Sequence, residues 1–238
     1  MADHFLITCE HGDNRIPSRY RHLFLDREAL LSSHRGYDPG ALTMARGLAG
    51  ALTASLHFST ISRLLIDLNR SIGHPRLYSE ATRNAPAETR RAIMQRYYLP
   101  YRRQAEAAIA ELVAHGHRAI HISSHSFTPE LDGEVRNADI GLLYDPARIG
   151  EVALCRRWQA ALIARTPELR VRRNYPYTGK SDGFTSYLRR RFPAECYIGI
   201  ELEINQKHVF AHGRHWRDLR KSVPTAFGQA ITNFDRAG

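Results

Sequence analysis

The chain is poor in cysteine and has no long apolar run, and each shortage excludes a class of protein. Its three cysteines, Cys9, Cys155 and Cys196, are far apart and odd in number, which argues against a disulfide framework and against a Cys-x-x-Cys metal site. No apolar run approaches the roughly 20 residues needed to cross a bilayer, and the first residues do not resemble a secretory leader. We therefore expect a cytoplasmic protein that does not contact a membrane.

Acidic residues are also in short supply. The sequence has 34 Lys and Arg against 24 Asp and Glu, a net charge of +10, and arginine greatly outnumbers lysine. Such a charge favours acidic partners. The basic residues are spread along amphipathic stretches, and no zinc-finger, RNA-recognition or helix-turn-helix signature is found, so we expect no nucleic-acid partner. A small anionic substrate suits an arginine-rich site better.

Strand-like and helix-like segments alternate along the chain. Short apolar, β-branched runs predict strands at 5–9, 56–61, 64–68, 118–123, 140–144, 169–173 and 196–204. Helical spacing of apolar residues predicts helices at 39–56, 88–115, 149–166, 185–191 and 216–234. The length and the 43% hydrophobic content favour one domain over residues 1–238. We predict an α/β fold in three αβα layers, with a mixed, mostly parallel sheet.

Polar clusters follow several of these strands, and ligands of open α/β sheets lie at such strand ends. The clusters are Glu10 to Asn14, Asp67 to Arg70, His125, and Glu201 with Glu203. Zinc prefers nitrogen, thiolate and carboxylate ligands, so His11, His125 and a carboxylate would form a metal site. Either histidine could instead be an ordinary turn residue, since the chain has 13 histidines.

Two families share these motifs. The segments 66–70 (Ile-Asp-Leu-Asn-Arg), 122–127 and 201–203 resemble, in order and approximate spacing, motifs of the zinc carboxypeptidases. The N-formylglutamate amidohydrolases, distant relatives of those enzymes, are a closer match. Their resemblance runs from Leu6 to about Phe210 and is carried by the segments 9–17 (Cys-Glu-His-Gly-Asp-Asn-Arg-Ile-Pro), 36–41 (Gly-Tyr-Asp-Pro-Gly-Ala), 98–101 (Tyr-Leu-Pro-Tyr) and 202–206 (Leu-Glu-Ile-Asn-Gln).

The resemblance implies a phosphorylase/hydrolase-like fold of the zinc carboxypeptidase type and a zinc-dependent amidohydrolase. Its expected reaction is hydrolysis of the amide bond of an N-formyl or other N-acyl acidic amino acid, such as N-formyl-L-glutamate, by water activated at zinc. The roles that it implies are zinc binding by His11, Asp38 and His125, general base and then general acid catalysis by Glu203, and binding of the substrate carboxylates by Arg70, Asn69 and Arg63.

Several of these roles have competing assignments. The carboxypeptidases use His-x-x-Glu, but Asn14 stands at that spacing from His11, so Asn14 and Asp13 remain alternatives to Asp38 as third ligand. Asp38 could also simply cap the following helix. Glu201 and Glu203 share one face of their strand, so periodicity does not separate them. The polar loop 178–185 either closes over substrate or is a plain turn.

Two other functions compete with the amidohydrolase. One is a zinc carboxypeptidase that acts on small peptides or cell-wall fragments. The other is a basic binding protein without catalysis, which would have no need of His11, His125 and Glu203 together. Metal content distinguishes the binding protein from both enzymes.

Overall fold

A computed structural model describes residues 1–232 of the chain. Within that range eight strands are present: β1 (Asp3–Cys9), β2 (Ser55–Phe58), β3 (Arg118–Phe127), β4 (Glu130–Leu131), β5 (Glu134–Val135), β6 (Ile140–Leu143), β7 (Val171–Arg173) and β8 (Tyr197–Asn205). The α-helices are α1 (Glu28–Ser32), α2 (Ala41–Leu52), α3 (Ala87–Ile93), α4 (Leu99–Ala114), α5 (Ile149–Arg165), α6 (Phe184–Arg191), α7 (Gln206–Phe210) and α8 (Gly213–Thr232). A short 3-10 helix covers Ser18–Phe24, and a π-helical turn, Met94–Tyr98, joins α3 to α4.

Six of the strands form one mixed sheet in the order β2-β1-β3-β8-β6-β7. The first four run parallel to one another, and β6 pairs antiparallel with β8 and parallel with β7. The carboxyl ends of β1, β3 and β8 therefore lie side by side at one edge. In an open α/β sheet that edge is where a ligand binds.

Helices cover both faces of the sheet. On one face, α2, α5 and α8 pack around a core that includes Leu48, Trp158 and Phe227. On the other face, α4 and α6 pack with the long loop after β2, and Ile109 and Phe184 lie in that second core. The prediction of a three-layer α/β fold with a mixed, mostly parallel sheet is confirmed. No described helix is long and apolar enough to cross a membrane.

The structure corrects three local predictions and leaves part of a fourth untested. Residues 64–68 are buried, but they form turns and not a strand, because they pack into the core as part of the loop after β2. The helix predicted from residue 39 begins at Ala41 with Gly40 in the left-handed conformation before it, so Asp38 does not cap it. The strand β3 continues to Phe127 and therefore contains His125. For the last helix, the predicted residues 233 and 234 lie outside the described range.

Candidate metal centre and catalytic site

Four neighbouring chain segments bring the predicted site residues together. His11 follows β1, while His125 and Glu203 are paired positions on the adjacent parallel strands β3 and β8. Asp38 lies in the loop before α2, where its backbone N–H donates to the His11 carbonyl oxygen at 2.9 Å. Gly40 makes this loop possible: its φ is +80°, and a Cβ there would meet the Val209 side chain at 2.5 Å.

His11, Asp38 and His125 converge on a single point. The Nδ1 atoms of His11 and His125 lie 3.3 and 2.8 Å from the same oxygen of Asp38, Oδ2. One ligand atom from each residue lies within 4.8 Å of the other two, and all three side chains are buried. Two imidazoles and a carboxylate are a donor set that zinc favours, and three protein ligands leave a position for substrate or water.

The outer nitrogens of both imidazoles face hydrogen-bond acceptors. His11 Nε2 lies 2.7 Å from Asp67 Oδ1. His125 Nε2 lies 2.9 Å from Ser123 Oγ and 3.2 Å from Glu10 Oε2. Such partners hold the proton on Nε2 and orient the ring, which leaves Nδ1 to bind a metal ion. The three donor side chains suit a divalent metal ion, and so do the acceptors that hold the two imidazoles from behind.

Charge in the cluster is balanced by close pairing. Burial would raise the pKa of Asp38, but His11, His125 and Arg63 hold that pKa well below its ordinary value. Burial would lower the pKa of His125, but hydrogen bonds to Asp38 and Glu10 raise it well above the ordinary value. Without a metal ion, a proton on His125 balances part of the negative charge of the carboxylates. We expect metal binding to release this proton.

Glu203 provides the one buried carboxylate oxygen in the described chain that has no hydrogen-bond partner. This atom, Oε2, lies in a side chain only 6% exposed that lines the cleft beside His125. Burial raises the pKa of Glu203 to about 8, and Asp38 and Glu201 reinforce the effect, while His125 and Arg63 oppose it. A carboxyl group with a raised pKa and an unpaired oxygen is suited to accept and return a proton.

Glu201 differs from Glu203 in its contacts. Its Oε1 accepts a 2.5 Å hydrogen bond from the Thr185 hydroxyl, so part of its carboxylate is already used. The geometry therefore favours Glu203 over Glu201 for proton transfer. Among the alternatives for the third ligand, Asp13 is exposed and its Oδ1 accepts from the Asn14 backbone N–H, while the Asn14 side chain donates to the Leu31 carbonyl. Asp13 therefore lies outside the metal cluster, and the Asn14 amide is held at the Leu31 carbonyl.

The predicted substrate-binding residues line the same cleft, which has a volume of about 800 Å³. Arg70 donates to the Asp182 carbonyl oxygen at 2.5 Å, while its buried Nε has no hydrogen-bond partner in the described chain. The Asn69 side-chain oxygen accepts from the Phe184 backbone N–H at 2.6 Å. Arg63 is engaged with the cluster itself, at 2.8 Å from Asp67 and 3.3 Å from Asp38.

Sequence reasoning missed the residues behind the metal cluster. The sequence assigns no role to Asp67, which belongs to the Asp-Leu-Asn-Arg motif, yet its side chain contacts both His11 and Arg63. Tyr101 belongs to the Tyr-Leu-Pro-Tyr motif, and its hydroxyl donates to Glu10 at 2.8 Å. In both cases the signal was a motif residue to which no role had been assigned. Tyr177, which also lines the cleft, lies in a loop with no such motif.

Comparisons with known proteins identify the family and the fold of the chain. A family model described as N-formylglutamate amidohydrolase matches residues 3–210. A solved structure of a gene product from Agrobacterium tumefaciens is 30% identical, with 97% of this chain and 91% of that chain covered and a TM-score of 0.83. The N-formylglutamate amidohydrolase of Ralstonia eutropha is 18% identical, with 99% and 94% covered and a TM-score of 0.68, which shows a shared fold. No curated protein matches the chain.

The fold and the family match together define a hydrolase of the α/β class that acts on amide bonds. The chain belongs to the N-formylglutamate amidohydrolase family.

Proposed function

We propose that the protein is a zinc-dependent amidohydrolase that cleaves the amide bond of an N-formyl or other small N-acyl acidic amino acid, with N-formyl-L-glutamate as the first substrate to test. In this proposal His11, Asp38 and His125 hold the metal ion. The observation that carries the proposal is the unpaired, buried Oε2 of Glu203 beside this cluster, because it places a proton acceptor next to a set of metal donors.

The bound ion would polarise the amide carbonyl and make water a stronger acid. Glu203 accepts a proton from the attacking water through Oε2. It then returns that proton to the departing nitrogen, because an amine leaves poorly unless it is protonated. The raised pKa of Glu203 suits the second step, and the positive charge of a bound ion would favour the ionised form needed for the first.

Arg70 and Asn69 orient the substrate. Arg70 lines the cleft and its Nε has no hydrogen-bond partner in the described chain, and a guanidinium offers a planar pair of donors to a carboxylate. Asp182 also accepts hydrogen bonds from Ser71, which fixes the loop that carries Arg70. Arg63 supports Asp38 and Asp67 and lines the cleft, so it contributes positive charge near the reacting carbonyl.

The test compares wild type with Glu203→Gln, using N-formyl-L-glutamate hydrolysis and zinc content of the same samples. We expect the variant to keep its zinc and to lose about 10²- to 10⁴-fold in kcat, the usual contribution of a general acid–base group. Glu201→Gln, two residues away on the same strand, is the matched control and should lose much less. Zinc-loaded wild type that does not hydrolyse this substrate would contradict the substrate assignment. An unchanged kcat in Glu203→Gln would contradict the role of Glu203.

A further inference from the structure

Glu10 is a fully buried carboxylate that the proposed reaction does not use. It precedes His11 in the chain, and its carboxylate contacts β3 and α4, behind the metal cluster. An ionised carboxylate at such a position is costly unless it is paired and hydrogen-bonded. The residues that contact the Glu10 carboxylate therefore indicate its role.

Four side chains face the Glu10 carboxylate, those of Thr8, Tyr101, Ser123 and His125. The Tyr101 hydroxyl donates to Oε1 at 2.8 Å, and the Ser123 hydroxyl donates to Oε2 at 2.6 Å. His125 Nε2 lies 3.2 Å from the same Oε2 and is the one basic side-chain nitrogen within 4 Å of the Glu10 carboxylate in residues 1–232. The hydroxyls are neutral, so within residues 1–232 the one basic side chain in direct contact with Glu10 is the imidazole of a proposed metal ligand.

The hydrogen-bond directions fix the proton on His125. A serine hydroxyl has a single proton, and Ser123 uses it on Glu10, so Ser123 Oγ must accept at its 2.9 Å contact with His125 Nε2. Glu10 Oε2, the other atom facing Nε2, also accepts. With only acceptors around it, Nε2 carries a proton, and the ring is held with Nδ1 toward Asp38, the side on which a metal ion would bind.

We infer that Glu10 is a positioning residue that, with Ser123 and Tyr101, fixes the ring orientation of His125 and thereby sets the metal affinity of the site. This inference rests on the metal ligands of the proposed function and not on its substrate. Outer carboxylates of this kind typically change metal affinity by about 10- to 100-fold when they are mutated.

The test measures zinc affinity by competition with a chelator in Glu10→Gln, which keeps the side-chain shape and removes the charge. We expect about a 10- to 100-fold loss of affinity. Proton–nitrogen correlation spectra of zinc-loaded protein provide a second measurement: the Nε2–H signal of His125 should shift in Glu10→Gln, while that of His11 should remain in place. Circular dichroism confirms that the variants are folded.

Tyr101→Phe serves as a second variant should Glu10→Gln fail to fold, since it removes one donor to Glu10 and leaves the charge. We expect a smaller but measurable loss of zinc affinity. Tyr98→Phe is its matched control, because the Tyr98 hydroxyl donates to the Arg70 carbonyl oxygen at 2.7 Å and does not contact Glu10. It should bind zinc as wild type does.

Unchanged zinc affinity in folded Glu10→Gln, or in Tyr101→Phe where the first variant does not fold, would overturn the inference. Wild type that binds no divalent metal would overturn it together with the metal site. Wild type that binds zinc but hydrolyses no N-acyl amino acid would contradict the proposed substrate only, and the affinity loss in Glu10→Gln would still support the role of Glu10.

Discussion

The two histidines meet at the same Asp38 oxygen, but their outer nitrogens lie in different surroundings. Behind His11, Asp67 shares its negative charge with Arg63, whose side chain is 25% exposed at the cleft. Behind His125, the carboxylate of Glu10 is fully buried and is stabilised by neutral hydroxyls. The charged groups behind His11 therefore reach the cleft, whereas the carboxylate behind His125 is enclosed within the fold.

The largest expected effect is common to both sides. His11→Ala and His125→Ala each remove one of three metal donors, so we expect loss of bound zinc in both. Metal polarisation contributes several kcal/mol to such a reaction, which corresponds to about 10³-fold in rate. Metal analysis and N-formyl-L-glutamate hydrolysis check the prediction. If one variant kept its zinc and its rate, that histidine would not be a ligand.

The next effect separates the two sides. Asp67→Asn removes the charge behind His11, and we expect about a tenfold loss of zinc affinity, since outer partners of metal-bound histidines have effects of that size. Arg63 already neutralises part of the Asp67 charge, so the loss should be smaller than in Glu10→Gln. Chelator competition on both variants checks the order. If Asp67→Asn lost more zinc affinity than Glu10→Gln, the expected order of the two effects would be wrong.

A third prediction concerns stability and pH. The pKa of Glu203 is raised by burial from an ordinary value of 4.5 to about 8 in the fold, so the folded state binds its proton more tightly than the unfolded chain does. The folded protein therefore loses stability as pH rises from 4.5 to 8. The Glu203→Gln variant does not lose this stability, because glutamine does not titrate. After zinc is removed with a chelator, we expect the variant to melt roughly 5 °C or more above wild type at pH 9, with little difference at pH 4.5.

Thermal unfolding at the two pH values checks this sign. Glu201→Gln is the matched control, because its Oε1 already has the Thr185 hydroxyl as donor, and it should raise the melting temperature less. A Glu203→Gln protein that is less stable than wild type at pH 9 would show that the Glu203 carboxylate is stabilised in the fold.

The smallest expected effect tests the rejected alternative for the third ligand. Asp13 is exposed and lies outside the metal cluster, so Asp13→Asn should bind zinc and turn over substrate as wild type does. Chelator competition checks it. A loss of zinc affinity of tenfold or more would place Asp13 in the site and remove the reason for preferring Asp38.

Sequence predicted most of the fold, because strands such as β1 and β8 are short apolar runs and the helices have clear apolar faces. It failed at residues 64–68, where an apolar run is buried by the loop after β2 rather than by strand pairing. An apolar run indicates that a segment is buried, but whether it pairs as a strand depends on residues that are distant in sequence.

The candidate site shows the same division. Motifs identified His11, Asp38, His125 and Glu203, and in the structure these four residues lie together in one cleft at the edge of the sheet. Their roles remain predictions. The support from Glu10 could not be predicted, because its contacts with Tyr101, Ser123 and His125 join residues up to 115 positions apart. No spacing rule in a single sequence records such contacts.

The most direct test of the account is the zinc content of purified wild type and Asp38→Asn, measured by elemental analysis after dialysis against trace chelator. Asp38 contacts both histidines, so the account predicts about one zinc per chain in wild type and loss of that zinc in the variant, with both proteins folded. Equal zinc in the two proteins, or none in wild type, would contradict a metal centre built from His11, Asp38 and His125.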